Sequence, residues 1–462
     1  MSEELTVTNE PDLTAAALAF LNDVSDIPVT TDRQRVRRRS RDFFWYSPVL
    51  NTELAQKSAD LVVTPRDEAD VLRIAAAAVR HRLPVTPRGA GTGNYGQAVP
   101  LNGGILIDMT SLDAIEWHRP GLVRTGCGAK MSDIDAALNP AGFELRMHPS
   151  TKRTATIGGF VAGGSGGIGS VTWGGLRDPG NVLAARIVTL EAEPRVIELR
   201  GNAAQNVNHA YGTTGLITAL EMPLAPAWRW VDVVVACDDF FSAVEIGFEA
   251  ALADGIVKKL LTPIAWPIPQ YFGALKPHCP EGKAVLLCMI AEPSMESFKA
   301  IIAGRGEITL EAETDDSPGR IPLYEYTWNH TTLQALKSDR TVTYLQCLLP
   351  HDRLVAALRE ITDLLGDEII QHLEFIRFGG RVTASSLPLL HYTTKQRLDE
   401  IIAIHEEIGI SIANPHVVTL EGGSAHKKAD AFQLGFKHEI DPFGLLNPGK
   451  MQSFTPLPAN VK

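Results

Sequence analysis

Pro87-Arg88-Gly89-Ala90-Gly91-Thr92-Gly93-Asn94-Tyr95-Gly96 is the stretch on which the reading of this chain turns. From Gly91 to Gly96 it fits G-x-G-x-x-G, the fingerprint that cradles a dinucleotide pyrophosphate where a strand runs into a helix. The flanks break that pattern. A helical period over residues 67–81 precedes the loop, and Gln97-Ala98-Val99-Pro100-Leu101-Asn102-Gly103-Gly104, with a proline and no amphipathic period, follows it. No helix dipole is therefore at hand to hold an anion. The glycines can instead bring bare backbone N–H groups up to a phosphate as an anion-binding nest. Taken alone, the loop also fits an ordinary glycine turn.

A second run carries nine glycines between Gly158 and Gly175. That is too many for a strand or helix packed on side chains, and implies backbone approaching something flat or crowded. Residues 147–167, MHPSTKRTATIGGFVAGGSGG, resemble the second flavin-binding segment of the FAD-linked oxidases of the vanillyl-alcohol oxidase / p-cresol methylhydroxylase (PCMH) superfamily. Asp441-Pro442-Phe443-Gly444-Leu445-Leu446-Asn447-Pro448-Gly449-Lys450 resembles its closing motif. Within the superfamily the chain is most similar to the branch of glycolate oxidase flavoprotein subunits and D-lactate dehydrogenases. The resemblance implies an α+β fold: a two-subdomain FAD-binding domain of the PCMH type and an antiparallel-sheet cap domain covered by helices.

The resemblance also implies a cofactor site. Arg88 and the backbone of Gly89, Ala90, Gly91, Thr92, Gly93 and Asn94 would hold the pyrophosphate of FAD. Ser150, Thr151, Thr156, Ile157, Gly158 and Gly159 would line the dinucleotide, and Gly163, Gly167 and Ile168 would lie near the flavin ring. Ile217 would touch the adenosine side and Asn447 would close the site. Relatives that bind FAD covalently carry a histidine in the first loop and some a cysteine before the second. Thr92 and Lys152 stand there, so non-covalent FAD is expected. His209-Ala210-Tyr211-Gly212-Thr213-Thr214-Gly215 departs from the family's Gly-Ser-Glu-Gly-Thr-Leu-Gly, with Tyr211 where the acid would be.

Composition agrees with a globular enzyme. With 462 residues and 45% hydrophobic content the chain exceeds the ~250–300 residues one core usually serves, so more than one domain is expected. A net charge of −11 argues against a nucleic-acid partner, the basic run Arg33, Arg35, Arg37, Arg38, Arg39 and Arg41 reading as solvated surface or as a membrane or partner contact. Five cysteines without C-x-x-C spacing read as reduced thiols of a cytoplasmic protein. The acidic start does not resemble a signal peptide, and no window approaches the ~20 apolar residues of a transmembrane segment.

Four parts are expected. Residues 1–50 form a leader with a helix over 13–24, packing on the body through Phe43, Phe44, Trp45 and Tyr46. Residues 51–228 form the FAD domain, with strands at 61–63, 104–109, 122–125, 184–191 and 216–222, and a helix beginning from Thr64 as cap and Pro65 as first residue. Residues 229–425 form the substrate-binding cap, strands at 231–237, 284–291, 342–349 and 373–378 alternating with helices at 242–253, 295–303, 352–365 and 396–408. Residues 426–462 return to the FAD domain.

The chemistry of the cap is less legible. D-2-hydroxy acid dehydrogenases of the resembled branch carry Gly-His-x-Gly-Asp-Gly-Asn-x-His and Gly-Glu-His-Gly segments that bind a divalent metal. The counterparts, residues 376–384 and Leu420-Glu421-Gly422-Gly423, retain Glu421 and none of the histidines, so no catalytic metal is expected. Tyr324, Tyr326 and Trp328, read as one face of a strand, are either core or an aromatic wall beside the flavin. Arg377 either supplies a positive charge, for a carboxylate or for the flavin's reduced N1, or is a structural ion-pair partner. His330, His391 and His416 are the candidate bases for the hydroxyl proton. The resulting expectation is hydride transfer from the carbinol carbon of a D-2-hydroxy acid to FAD. The alternatives are oxidation of an aromatic alcohol, or an electron-transfer flavoprotein subunit. Partners would be a small-molecule substrate and either a second copy or a second flavoprotein or electron-acceptor subunit.

Overall fold

The computed structural model describes residues 13–422, 429 and 431–458. Gly423 and residues 1–12 lie outside them. The first sheet is ordered Val29–Thr30, Leu61–Val63, Ile105–Asp108, Val85–Arg88, its last three strands parallel. Leu61, Val62 and Val63 are all buried, as a parallel strand covered on both faces requires. The helix Glu68–Arg80 buries Val71, Ile74, Ala75 and Ala78. It starts three residues later than Thr64 and Pro65 led us to expect. Asp67, in extended backbone, caps it by accepting from Asp70 N at 2.9 Å, while the N–H of Arg66 is tied to the Asp70 carboxylate at 3.0 Å.

A second, antiparallel sheet is built on Leu216–Pro226, with Leu122–Gly126 and Ala184–Val188 beside it, Ile115–Arg119 and Val196–Arg200 at the edges, and Phe143–Leu145 on its far end. The first sheet is completed from far along the chain. Val85 N donates to Leu445 O at 2.8 Å, and Asn447 N donates to Val85 O at 2.7 Å. The turn that delivers Leu445 and Asn447 hangs on Asp441, fully buried, whose carboxylate accepts from Leu445 N, Leu446 N and Lys437 Nζ at 2.9, 2.8 and 2.8 Å. Burial lowers the pKa of Lys437, and Asp441 works against that shift. Replacing Asp441 by alanine should cost about 3–5 kcal/mol in denaturant unfolding, because it strands a buried ammonium. A loss below 1 kcal/mol would show that the pair does not hold the turn.

The cap contains a four-stranded antiparallel sheet ordered Lys258–Ile264, Ala284–Ala291, Trp230–Cys237, Glu307–Glu313, packed by the helices Phe240–Leu252 and Met295–Ile302. Two smaller sheets extend it. The expected strand over 342–349 is divided between them: Val342–Tyr344 pairs with Leu389–His391, and Cys347–Leu348 joins Leu373–Phe378, Arg381–Ser386 and Ser411–Ile412. The aromatic segment is not a strand. Leu323–Tyr326 is a 3-10 turn and Asn329–Leu336 an α-helix, so Tyr324, Tyr326 and Trp328 do not share a face.

The aromatics of residues 43–46 pack across both parts. Phe44 is buried with Leu50, Leu54 and Val99, and Tyr46 lies edge-on to Tyr344 at 6.3 Å.

Candidate functional site

A cavity of about 870 Å³ runs between the two glycine-rich segments and the cap. This is within the range of small-molecule and cofactor sites. The first loop, Arg88 to Asn94, lines it throughout. Among the described residues, no backbone N–H from Gly89 to Asn94 donates to the protein. Six successive N–H groups left over at the wall of a cavity are available to an anion or to solvent. Gly91 has φ +70°, and a Cβ there would overlap the guanidinium of Arg88. A Cβ on Gly89 would overlap Thr156 Oγ1. Arg88 is itself pinned, donating to Arg41 O at 2.6 Å and Ala90 O at 3.3 Å.

The second run is partly helical, contrary to its composition. Ile157–Gly163 forms two turns capped by Thr156, and Gly158 is needed because the helix lies on Cys127, whose Cβ and carbonyl a side chain would meet. Ser150, Thr151, Thr156, Gly158, Gly159, Gly163 and Ile217 line the cavity. Ile157, Gly167, Ile168 and Asn447 do not. Ile157 and Ile168 are core residues, Gly167 lies against the His148 carbonyl, and Asn447 donates to Gln97 O and Tyr211 O at 3.0 and 2.6 Å, bracing the loop from behind. His209 and Tyr211 both have positive φ, 50° and 53°, and their N–H groups donate to Val161 O and Ala162 O. The departure from the family's glycine-rich segment is thus accommodated by strained backbone strapped to the helix end, and both side chains line the cavity.

Sequence reasoning missed Asp42. Its carboxylate, buried at the cavity wall, accepts from Phe44 N at 3.0 Å and Ala98 N at 3.4 Å, joining the leader to the glycine loop. Lys450, also buried, donates to Gly96 O at 2.5 Å from the other side. Burial raises the Asp42 pKa and lowers that of Lys450, each moderating the other. An isolated acid before an aromatic cluster carries no motif that would have exposed this role.

The catalytic candidates separate. His330 and Arg377 line the cavity, as do Trp328, Asn329 and Gln346. His330 is pushed down to about 4 by burial, a hydrogen bond to the Glu325 backbone working the other way, so its imidazole is neutral at neutral pH. Arg377 is paired with Asp254. Trp328 has φ 52° and is held by its N–H donating to Glu374 Oε1 at 2.5 Å; that buried carboxylate also binds His372 Nε2 at 2.9 Å and Thr262 Oγ1 at 2.6 Å. A deeply buried acid thus presents Trp328 and His330 to the cavity.

The remaining candidates point elsewhere. Both ring nitrogens of His416 are engaged, Nε2 with Tyr344 O at 2.9 Å and Nδ1 with Ser47 Oγ at 2.7 Å, so no nitrogen is left to accept a substrate proton. His391 is half-exposed beside Thr341 and Asp339. Glu421 accepts from Gln452 N and Ser453 N at 2.9 and 3.0 Å, a turn contact. Tyr324 is buried with its hydroxyl donating to Asp316 at 2.7 Å, and Tyr326 packs on Phe272. Among the described residues no three His, Cys, Asp or Glu side chains are grouped to hold an ion.

The chain is similar to several known proteins. Residues 59–199 match the FAD binding domain family. Glycolate oxidase subunit GlcD of Bacillus subtilis is 24% identical over 432 residues, covering 86% of this chain and 89% of that protein. D-lactate dehydrogenase of Anaerostipes hadrus is 25% identical over 439 residues, covering 85% and 89%. D-2-hydroxyglutarate dehydrogenase of Escherichia coli is 34% identical over 177 residues, which span 35% of this chain and 17% of that protein. Alkyldihydroxyacetonephosphate synthase superposes with a TM-score of 0.71 at 15% identity, covering 96% of this chain and 87% of its own, a likeness of fold.

Proposed function

We propose, for a chain that is an FAD-linked oxidoreductase of the vanillyl-alcohol oxidase / PCMH superfamily acting on CH–OH groups, that it oxidises a D-2-hydroxy acid to the 2-keto acid with non-covalently held FAD. The observation that carries this is one cavity lined at one part by six backbone N–H groups that donate to none of the described residues, and at another by Arg377 and neutral His330. FAD, when bound, supplies the acceptor for the hydride of the carbinol carbon. The loop from Gly89 to Asn94 would hold its pyrophosphate, and Ser150, Thr151, Thr156, Gly158, Gly159 and Ile217 would line it. His330 takes the hydroxyl proton on the ring nitrogen not bonded to the Glu325 backbone. Arg377 exchanges Asp254 for the substrate carboxylate.

The covalent attachment positions support dissociable FAD. Thr92 has no suitable nucleophile, and the Lys152 ammonium lies 3.0 Å from both Asp135 and Asp316. Burial works against that charge, yet the two carboxylates prevail and hold its pKa at about 12. Acid precipitation should leave the yellow colour in the supernatant; a yellow pellet would overturn this.

The test of the reaction is anaerobic bleaching of the holoenzyme by D-2-hydroxy acids and by aromatic alcohols, with and without chelator. Bleaching by a hydroxy acid that chelator leaves unchanged is the expected result, since the metal histidines of the resembled branch are missing. Bleaching by aromatic alcohols alone would favour the second reading, for which Trp328 in the cavity wall is the supporting observation. GlcD is named as a subunit, which supports a partner subunit or a second copy in the proposal, and the five free, buried cysteines support a cytoplasmic location. Among the described residues no helix is long and apolar enough to cross a membrane.

A further inference from the structure

One wall of the cavity is made by the cap strands Leu373–Phe378, Cys347–Leu348 and Ser411–Ile412. Its apolar members are Ile376, Phe378, Leu348 and Ile412, and among the described residues of these three strands that line the cavity Arg377 is the one cation. Phe378 is 60% exposed although it lines the cavity, so it stands at the mouth. Its position is fixed. Phe378 pairs with Arg381 across a two-residue turn, Gly379-Gly380, both with positive φ, the arrangement of a tight hairpin. An aromatic ring left in water at the entrance of a site is a surface that a ligand can cover.

We infer that the site selects a 2-hydroxy acid with a large apolar side chain, aromatic or branched, over two- and three-carbon acids and over dicarboxylates, and that Phe378 is the specificity-determining residue. The inference rests on the hydroxy-acid reading above. Arg377 matches one carboxylate. A second carboxylate against Ile376, Leu348 and Ile412 would lose its hydration without gaining a cation. An apolar side chain placed there covers Phe378 and gains burial, which glycolate and lactate have no side chain large enough to do.

The experiment compares anaerobic bleaching of the FAD-loaded protein by D-3-phenyllactate, D-2-hydroxyisocaproate, D-lactate, glycolate and D-2-hydroxyglutarate, in the wild type and in Phe378→Ala. The expected result is the highest kcat/KM for the two apolar acids. In Phe378→Ala their kcat/KM should fall about tenfold, mainly through KM, with D-lactate changed less than about twofold. Binding of 3-phenylpropionate, which has no hydroxyl to oxidise, should weaken in parallel when followed by tryptophan fluorescence. Preference for glycolate, D-lactate or D-2-hydroxyglutarate, or an equal effect of Phe378→Ala on every acid, overturns the inference and leaves the hydroxy-acid reading standing. Failure of all five acids to bleach the wild type overturns the hydroxy-acid reading and the inference with it.

Discussion

Gly91→Val should give a folded but colourless protein. Gly91 is left-handed at φ +70°, a region closed to a β-branched residue, and its new Cβ would occupy the space of the Arg88 guanidinium. Arg88 cannot easily yield, because it is buried and tied to Arg41 O and Ala90 O. The loop must move instead, and the row of N–H groups it presents is dispersed. FAD affinity should fall by roughly 100-fold or more, read by fluorescence titration, with the circular dichroism spectrum retained. Thr92→Ala is the matching control. It keeps the backbone donor and removes only a side chain, so it should bind FAD as the wild type does. Stoichiometric yellow Gly91→Val would refute the nest.

His330→Ala should lower kcat by about 10²- to 10⁴-fold with the FAD content unchanged, the magnitude of a lost general base. The pH dependence gives the role a second signature. Burial depresses the His330 pKa, so the neutral, proton-accepting form persists through the whole neutral range and is lost only as pH falls through about 4. The wild-type kcat/KM should therefore be level above about pH 5 and drop on the acid side. In His330→Ala that limb should vanish along with most of the rate. A profile unchanged in shape, or a variant of full activity, would remove His330 from the chemistry. His416→Ala, by contrast, should act through packing, since its ring nitrogens are both spent on Ser47 and Tyr344.

How far the chain could be read in advance depended on whether a segment obeys a local rule. Ala284–Ala291 is buried at every position, so its unbroken apolar run announced a central strand. Arg381–Ser386 was silent. RVTASS reads as polar, yet five of its six residues are buried, their hydroxyls satisfied by contacts such as Thr383 Oγ1 to Leu349 O at 2.7 Å and Ser385 Oγ to Cys347 O at 3.1 Å. Such pairing is non-local and leaves no period. The alternating Tyr324, Tyr326 and Trp328 imitated a strand, but the chain turns there because the acids of other segments, Asp232 and Glu374, receive the N–H groups of Leu323 and Trp328. The first glycine loop was legible because its chemistry lies in its own backbone. Glu421 and His416 were not, because what they do is decided by residues such as Gln452, Ser453 and Ser47 that sequence spacing does not connect to them.

The bracing of the first glycine loop by Asn447 and Lys450 bears on the life of the chain before it is complete. Thr86 and Asn447, joined by a side-chain hydrogen bond, stand 361 positions apart. On the ribosome the loop emerges long before the segment that braces it. Full bracing of the loop is thereby postponed until the segment carrying Asn447 and Lys450 has been made. A nascent chain stalled before that segment has the glycines and the Arg88 and Asp42 contacts but lacks the braces of Asn447 and Lys450.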